Sequence, residues 1–271
     1  MNNPKIYKTS RGTQYFCEPG IALISAPTFN LREVDNFCES FGGAFDNYTD
    51  DPCPRGCAAG LIKFAGQVCY LSLGEKRTMN ADAARYFDNI LSSGHGSVLE
   101  HATFSFLLWG ISRSLTHELV RHRTGTAFSQ VSQRYVNNSV LRFVERPEWQ
   151  TCPDLHAAFV KRIDEAAYLY ETLTCTLLAR LPEGGTNRDR RKAVQQASRS
   201  LLPNETEAPM VFSANVRALR HIIEMRGSKH AEPEIRLLAH RLLMLMKNVE
   251  PLLFADYSID NGDVLTNWRK V

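Results

Sequence analysis

Residues 121–135 read Arg121-His122-Arg123-Thr124-Gly125-Thr126-Ala127-Phe128-Ser129-Gln130-Val131-Ser132-Gln133-Arg134-Tyr135. Just before them Ile111, Leu115, Leu119 and Val120 recur at helical spacing, so Arg121, His122 and Arg123 sit at a helix C-terminus, where the dipole favours positive charge. Gly125 and its small neighbours mark a loop. Ser129, Gln130, Ser132, Gln133 and Arg134 follow as a dense set of hydrogen-bonding groups. A guanidinium offers a planar fork suited to phosphate oxygens, and Gln and Ser can read the edge of a base. Taken alone, a basic helix end followed by a polar turn is an ordinary solvated surface.

Working outward, Arg113, His117 and Arg121 fall near one helical stripe, with Glu118 to one side. Upstream, Gly94-His95-Gly96-Ser97-Val98-Leu99-Glu100-His101 brackets a histidine with glycines, which let backbone approach a ligand closely. In residues 102–109, Thr103 and Ser105 alternate with Phe104 and Phe106, a strand pattern. Downstream, Thr186 can cap a helix over residues 188–202 that carries Arg190, Arg191, Lys192 and Arg199. This helix closes on Ala197-Ser198-Arg199-Ser200-Leu201-Leu202-Pro203. A strand is expected over residues 207–213. Next comes a helix from Asn215 with apolar Leu219, Ile222 and Ile223 and polar Arg217, His221 and Arg226. Gly227 ends it, and Pro233 suits the first turn of a last helix reaching about Asn248.

Together these residues resemble the flavin-dependent thymidylate synthases. That family's signature is Arg-His-Arg, seven residues, Ser, one residue, Arg and Tyr; here eight residues separate Arg123 from Ser132. The half from Ser129 to Tyr135 is in register, so the additional residue falls within 124–128. His95, Ser97, Glu100 and His101 match the family's upstream His-x-Ser-x-x-Glu-His stretch. Residues 197–203 are similar to its Ala-Arg-x-x-Leu-Pro, with Ser198 in place of the alanine and Arg199 in register. The matches are in order and span about residues 61–254.

The resemblance implies an α+β fold, a mixed and largely antiparallel sheet flanked by long helices, in a homotetramer with flavins at subunit interfaces. It implies methylation of C5 of a uracil nucleotide, dUMP to dTMP, with methylenetetrahydrofolate as carbon donor and FAD reduced by NADPH. Carried over residue by residue, Arg226 is the catalytic arginine beside the uracil, and Ser132 assists in ring activation and nucleotide binding. Arg113, Glu118, Gln130, Ser132, Gln133, Arg134, Lys192, Arg199 and Arg226 surround the pyrimidine monophosphate. Ser97, Arg121, His122, Arg123, Gln130, Asn215, Arg217, His221 and His230 surround FAD. Tyr70 and His95 are candidates for the folate or for closing the pocket. No Gly-x-Gly-x-x-Gly follows a strand, so a Rossmann site is not expected.

Composition agrees without being specific. Hydrophobic residues are 44%, charged residues 23% and the net charge is +3, values of an ordinary globular chain with no extended basic stripe for nucleic acid. No apolar run approaches the ~20 residues a membrane helix needs, and the N-terminus lacks a signal-peptide pattern, so the cytoplasm is expected. Seven cysteines, at 17, 38, 53, 57, 69, 152 and 175, are too scattered for a disulfide framework. The spacing of Cys53 and Cys57 with Cys17 and Cys38 is looser than a zinc knuckle, and no metal is expected. None has the surroundings of a thiol nucleophile.

Elsewhere, Ile21 to Ile24 reads as a strand, residues 31–41 as a helix and residues 46–60 as a loop. Residues 80–92 read as an N-capped helix, residues 140–144 as a short strand, and Asn137-Asn138 and Gly184-Gly185 as breaks. A long amphipathic helix spans residues 153–181. The chain divides into an N-terminal extension, 1–60, packed on a synthase-like domain, 61–271. Two other functions stay open: C5 methylation of another pyrimidine nucleotide such as UMP, prompted by the additional residue in 124–128, and a nucleotide- or RNA-binding module without chemistry.

Overall fold

The computed structural model describes residues 3–52, 56–135, 141–180, 186–269 and 271. The chain opens with β1 (Tyr7–Lys8), β2 (Gln14–Phe16), β3 (Gly20–Ser25), α1 (Leu31–Glu39), α2 (Cys57–Val68) and α3 (Ala83–Ser92). Its middle holds β4 (Thr103–Trp109), α4 (Arg113–Leu119), β5 (Thr126–Gln130), β6 (Arg142–Val144), α5 (Pro147–Gln150), α6 (Pro153–Arg180) and α7 (Asn187–Ser198). It closes with β7 (Met210–Asn215), α8 (Val216–Arg226), α9 (Pro233–Val249) and the hairpin β8 (Tyr257–Asp260) and β9 (Asp263–Thr266).

Alternation in β4 sets the centre. Phe104, Phe106 and Leu108 are buried on one face, and β7 answers with Met210, Phe212 and Ala214. The main sheet has the order β3-β4-β7-β5, antiparallel throughout. The rings of Phe128, Phe212 and Phe106 stack across its last three strands at 5.4 and 6.0 Å. Helix α8 adds Leu219, Ile222 and Ile223 to the core, and α9 adds Ile235, Leu238, Leu242, Leu243 and Met246. Each such side chain contributes about 1.5–3 kcal/mol when fully buried, so packing, more than intrinsic propensity, stabilises α8 and α9. A second sheet, β1-β2-β6, includes the parallel pair β2 and β6. The architecture is α+β, mixed and largely antiparallel, with helices flanking.

Residues 1–60 hydrogen-bond into both sheets, β3 pairing with β4 and β2 with β6. Position 60 falls inside α2, which starts at Cys57 where a loop was expected. Beside it Phe29, Phe37, Tyr48 and Phe64 form an aromatic cluster against α1.

Several local expectations are corrected. Residues 124–128 are not all loop, because Thr126 begins β5, which pairs with β7 from Thr126↔Ala214 to Gln130↔Met210 without a bulge. The polar side chains of this edge strand hide its period, and the Phe128–Phe212 stack overrides it. Thr124-Gly125 alone remains as the turn before β5, where Gly125 has φ +69°. Asn80 does not cap α3; it accepts from Lys63 Nζ at 2.7 Å and donates to the Asp51 carbonyl at 3.2 Å, and a 3-10 turn, Asn80–Asp82, precedes the helix. Helix α7 stops at Ser198 and tightens into a 3-10 turn over Arg199–Leu201. Strand β7 is shifted to Met210–Asn215. The breaks expected at Asn137-Asn138 and Gly184-Gly185 lie outside the described residues.

Buried carboxylates place the site helices. Glu234 of α9 accepts from Ser112 N at 2.8 Å and Ser112 Oγ at 2.6 Å, while that hydroxyl accepts from Leu115 N as the cap of α4. Arg220 of α8 is fully buried and makes a bidentate pair with Asp256, both contacts 2.8 Å. It also donates to the carbonyls of Leu253 and Val271.

Candidate active site

The last turn of α8 meets the last turn of α4. Arg226 Nε donates to His122 Nε2 at 2.9 Å, Nη1 to Glu118 Oε2 at 2.5 Å and Nη2 to the Glu118 carbonyl at 3.2 Å. The His122 ring meets His221 edge-on, centroids 5.6 Å apart. Burial first, then the adjacent Arg226 and His221, pushes His122 down to about 4, so the imidazole is neutral at physiological pH. Glu118 is raised by burial and by a hydrogen bond to Glu232, against the pull of Arg226. Burial would raise Glu232 too, but its bonds from Glu118 and Arg146 hold it low. Glu118 thus binds a proton more tightly than Glu232, whose charge is met by Arg146.

A second cluster gathers on the far half of the quoted stretch. The Arg134 guanidinium and the Lys192 ammonium lie over the Tyr135 ring at 5.3 and 5.4 Å. A hydrogen bond from Lys192 and the charges of Lys192 and Arg134 lower the Tyr135 phenol. Tyr135, Arg188, Arg191 and Lys192 line a cavity of about 640 Å³ together with Thr174 and Gln195. Among the described residues its lining contains no carboxylate. Gln133 Nε2 and Thr174 Oγ1 are buried without a hydrogen-bond partner among the described residues, the signature of groups awaiting one. Gln130 Nε2 donates to Thr116 Oγ1 at 3.1 Å.

A third region surrounds the start of α8. Asn215 caps this helix by accepting from Ala218 N at 2.9 Å. Asn215, Arg217, Ala218 and His221 line a cavity of about 380 Å³ with Thr124, Glu100 and Val271. A Cβ on Gly125 would lie 2.5 Å from Asn215 Nδ2, and one on Gly96 would lie 2.9 Å from Arg217 Nε. Two glycines therefore let the chain press against the groups that line this cavity. Arg217 Nη1 pairs with Glu100 Oε1 at 2.6 Å.

The chain does not bring every expected residue together. Arg226 lines neither of these two cavities. Arg121, Arg123 and Arg199 are exposed and Arg113 half-buried; their side chains make no polar contact among the described residues. Ser132 is half-buried, while Ser97, His95 and His230 are exposed. Tyr70 is 77% exposed beyond the end of α2, so a pocket-closing role would need another surface against it. Tyr135, Arg188, Thr124, Glu100, Glu232 and Arg146 were given no site role from the sequence, although Glu100 stands in the matched upstream stretch. Tyr135 and Thr124 belong to the quoted stretch and could have been taken with it. Arg146 carries no local signal, since it reaches Glu232 across 86 positions of chain.

The fold and these cavities define an α+β protein whose polar cavities lie outside any Rossmann frame. The family model for thymidylate synthase complementing protein (Thy1) matches residues 57–252. A flavin-dependent thymidylate synthase of Mycolicibacterium gilvum (strain PYR-GCK) is 44% identical over 213 residues, covering 77% of this chain and 85% of the relative. The enzyme of the same description from Mycobacterium avium (strain 104) is 43% identical over 211 residues, covering 76% and 84%. The chain belongs to the thymidylate synthase complementing protein family. In fold it matches the crystal structure of a UMP/dUMP methylase, PolB, from Streptomyces cacaoi bound with 5-Br dUMP. The TM-score is 0.60 at 17% identity, over 88% of this chain and 94% of that one. The region at the start of α8 fits a flavin nucleotide. Its cavity presents Asn215, Arg217 and His221, and Gly125 and Gly96 leave no side chain in the way, while exposed Arg121 and Arg123 make no polar contact among the described residues. No helix among the described residues is long and apolar enough to cross a membrane.

Proposed function

We propose that the protein methylates C5 of the uracil ring of dUMP to give dTMP, with methylenetetrahydrofolate as carbon donor and FAD, reduced by NADPH, as hydride source. The observation that carries this reading is the family match over residues 57–252, which encloses the whole basic stretch 121–135. The relatives described as flavin-dependent thymidylate synthases support it. Side chains cannot supply a hydride, so the flavin furnishes the reduction that completes the methyl group.

The chain's own residues do the remaining work. Arg226, oriented by Glu118 and His122, faces the uracil and stabilises negative charge that develops on the ring as C5 becomes nucleophilic. Ser132, Gln130 and Gln133 hold the nucleotide, and the orphaned Gln133 Nε2 gains its partner there. Arg134, Lys192 and Arg199 take the phosphate, with Arg113 nearby; Arg134 and Lys192 flank Tyr135, and Lys192 lines the cavity beside it. Arg121, Arg123, Asn215, Arg217, His221, His230 and Ser97 hold the flavin, and Tyr70 and His95 close the folate side. Because Arg226 does not line the cavity that Lys192 lines, the complete site is assigned to a homotetramer. Residues 1–60 serve the 61–271 unit as an extension packed on it. The cytoplasm, where nucleotides and reduced folates are at hand, is the assigned compartment.

The test is a paired assay with FAD, NADPH, methylenetetrahydrofolate and either dUMP or UMP. Methylated product from dUMP is expected. Turnover confined to UMP would move the assignment to the alternative, for which the Thr124-Gly125 turn, on the rim of the smaller cavity, is the motive. A protein that binds no flavin and methylates neither nucleotide would leave only a binding module.

A further inference from the structure

A guanidinium has five N–H groups and no lone pair, so in the 2.9 Å bond between Arg226 Nε and His122 Nε2 the imidazole is the acceptor. The proton of a neutral His122 must then reside on Nδ1. The ring has little freedom to turn. The His122 backbone N–H donates to the Leu119 carbonyl at 3.1 Å, its carbonyl accepts from Thr126 Oγ1 at 2.5 Å, and its ring abuts His221. Glu118 takes two further N–H groups of Arg226, one through its carboxyl and one through its carbonyl. Three of the five donors are thus committed, and one N–H on each Nη remains.

We infer that His122 is a positioning residue for Arg226: a neutral, Nδ1-protonated imidazole that, with Glu118, fixes the guanidinium so that its two remaining N–H groups meet the nucleotide base. What the two N–H groups meet rests on the methylation reading; the acceptor role of His122 does not.

The charged and titratable groups around the ring are Arg226 and His221 of α8 and Glu118 of α4, with Glu232 bonded behind Glu118 and Arg121 and Arg123 adjacent in the chain. A protonated His122 would have no lone pair for Nε and would set a second cation against Arg226. Burial first, then Arg226 and His221, oppose that protonation down to about 4.

The decisive experiment is nitrogen-15 NMR of the full-length protein labelled at histidine, without nucleotide. His122 is expected as the Nδ1–H tautomer through the neutral range, titrating only near about 4. Titration at the ordinary imidazole value of 6.5, or an Nε2–H tautomer, would overturn the inference. This readout needs no turnover, so it stands even if the chemistry differs from that proposed. In the FAD-loaded enzyme, His122→Phe is expected to lower kcat at least tenfold with flavin absorbance and KM for dUMP little changed. His122→Gln, whose amide oxygen can accept from Nε, should recover most of that loss. Loss of flavin by His122→Phe, or unchanged kcat, would count against the role, and if that variant does not fold the wild-type tautomer decides.

Discussion

Gly125→Ala is a sharp perturbation because two separable costs meet at one atom. At φ +69° a non-glycine residue carries about 1–2 kcal/mol of backbone strain. The added Cβ would also stand 2.5 Å from Asn215 Nδ2 and 2.8 Å from its Cγ, far inside van der Waals contact. The Asn215 backbone cannot yield, since its N–H donates to the Gly125 carbonyl at 2.9 Å. The side chain must swing instead, releasing Ala218 N and uncapping α8, a loss of about 1 kcal/mol. The sum is about 2–3 kcal/mol, which for a chain of this size lowers the melting temperature by roughly 5–10 °C. Urea unfolding of wild type, Gly125→Ala, Asn215→Ala and the double variant separates the two costs. With the cap already gone in Asn215→Ala, Gly125→Ala should cost only its backbone part, leaving a coupling of about 1 kcal/mol. Strict additivity, or a Gly125→Ala as stable as wild type, would refute the claim that the turn rests on the Asn215 cap.

Other consequences are tested separately. Burial raises Glu250 from 4.5 to about 7, although it accepts from Ala58 N at 3.1 Å at the start of α2. A raised folded-state value means that this contribution is full below about pH 4.5 and is lost as pH rises to about 7, a change of about 3 kcal/mol. Glu250→Gln should therefore be as stable as wild type at pH 4 and more stable at pH 8; parallel stability profiles would contradict this. Asp256→Ala leaves the fully buried Arg220 guanidinium without its counter-ion and should cost about 3–5 kcal/mol in denaturant unfolding; a loss below about 1 kcal/mol would show that the carbonyls of Leu253 and Val271 suffice. Arg226→Ala should abolish methylation with an unchanged circular dichroism spectrum, and near-normal turnover would remove Arg226 from the reaction.

Much of the fold was legible because its core elements carry undisguised periods. Thr103–Trp109 alternates, and Leu219, Ile222 and Ile223 recur at helical spacing. The Asn215 and Thr186 caps and Pro233 at the start of α9 mark helix ends by chemistry that needs no tertiary partner. What escaped was decided at a distance. Thr126–Gln130 is a strand because β7 offers it an edge and Phe212 a ring to stack on. Tyr7–Lys8 and Gln14–Phe16 are too short to show a period, and the hairpin of Tyr257–Asp260 and Asp263–Thr266 was not distinguished from the chain end. At the site, the order of motifs named Arg226, Glu118 and His122 but not their mutual bonds. Those bonds span 104 and 108 positions, and no local pattern encodes such a pairing. Glu232 and Arg146 were invisible for the same reason.

The most direct test of the central claim is a crystal structure of the protein with FAD and dUMP. The account predicts the uracil carbonyls within hydrogen-bond reach of the two open N–H groups of Arg226, and the phosphate held by Arg134, Lys192 and Arg199, from one subunit or from neighbours. A nucleotide seated elsewhere, with Arg134, Arg199 and Arg226 each turned to solvent at every subunit boundary, would contradict it.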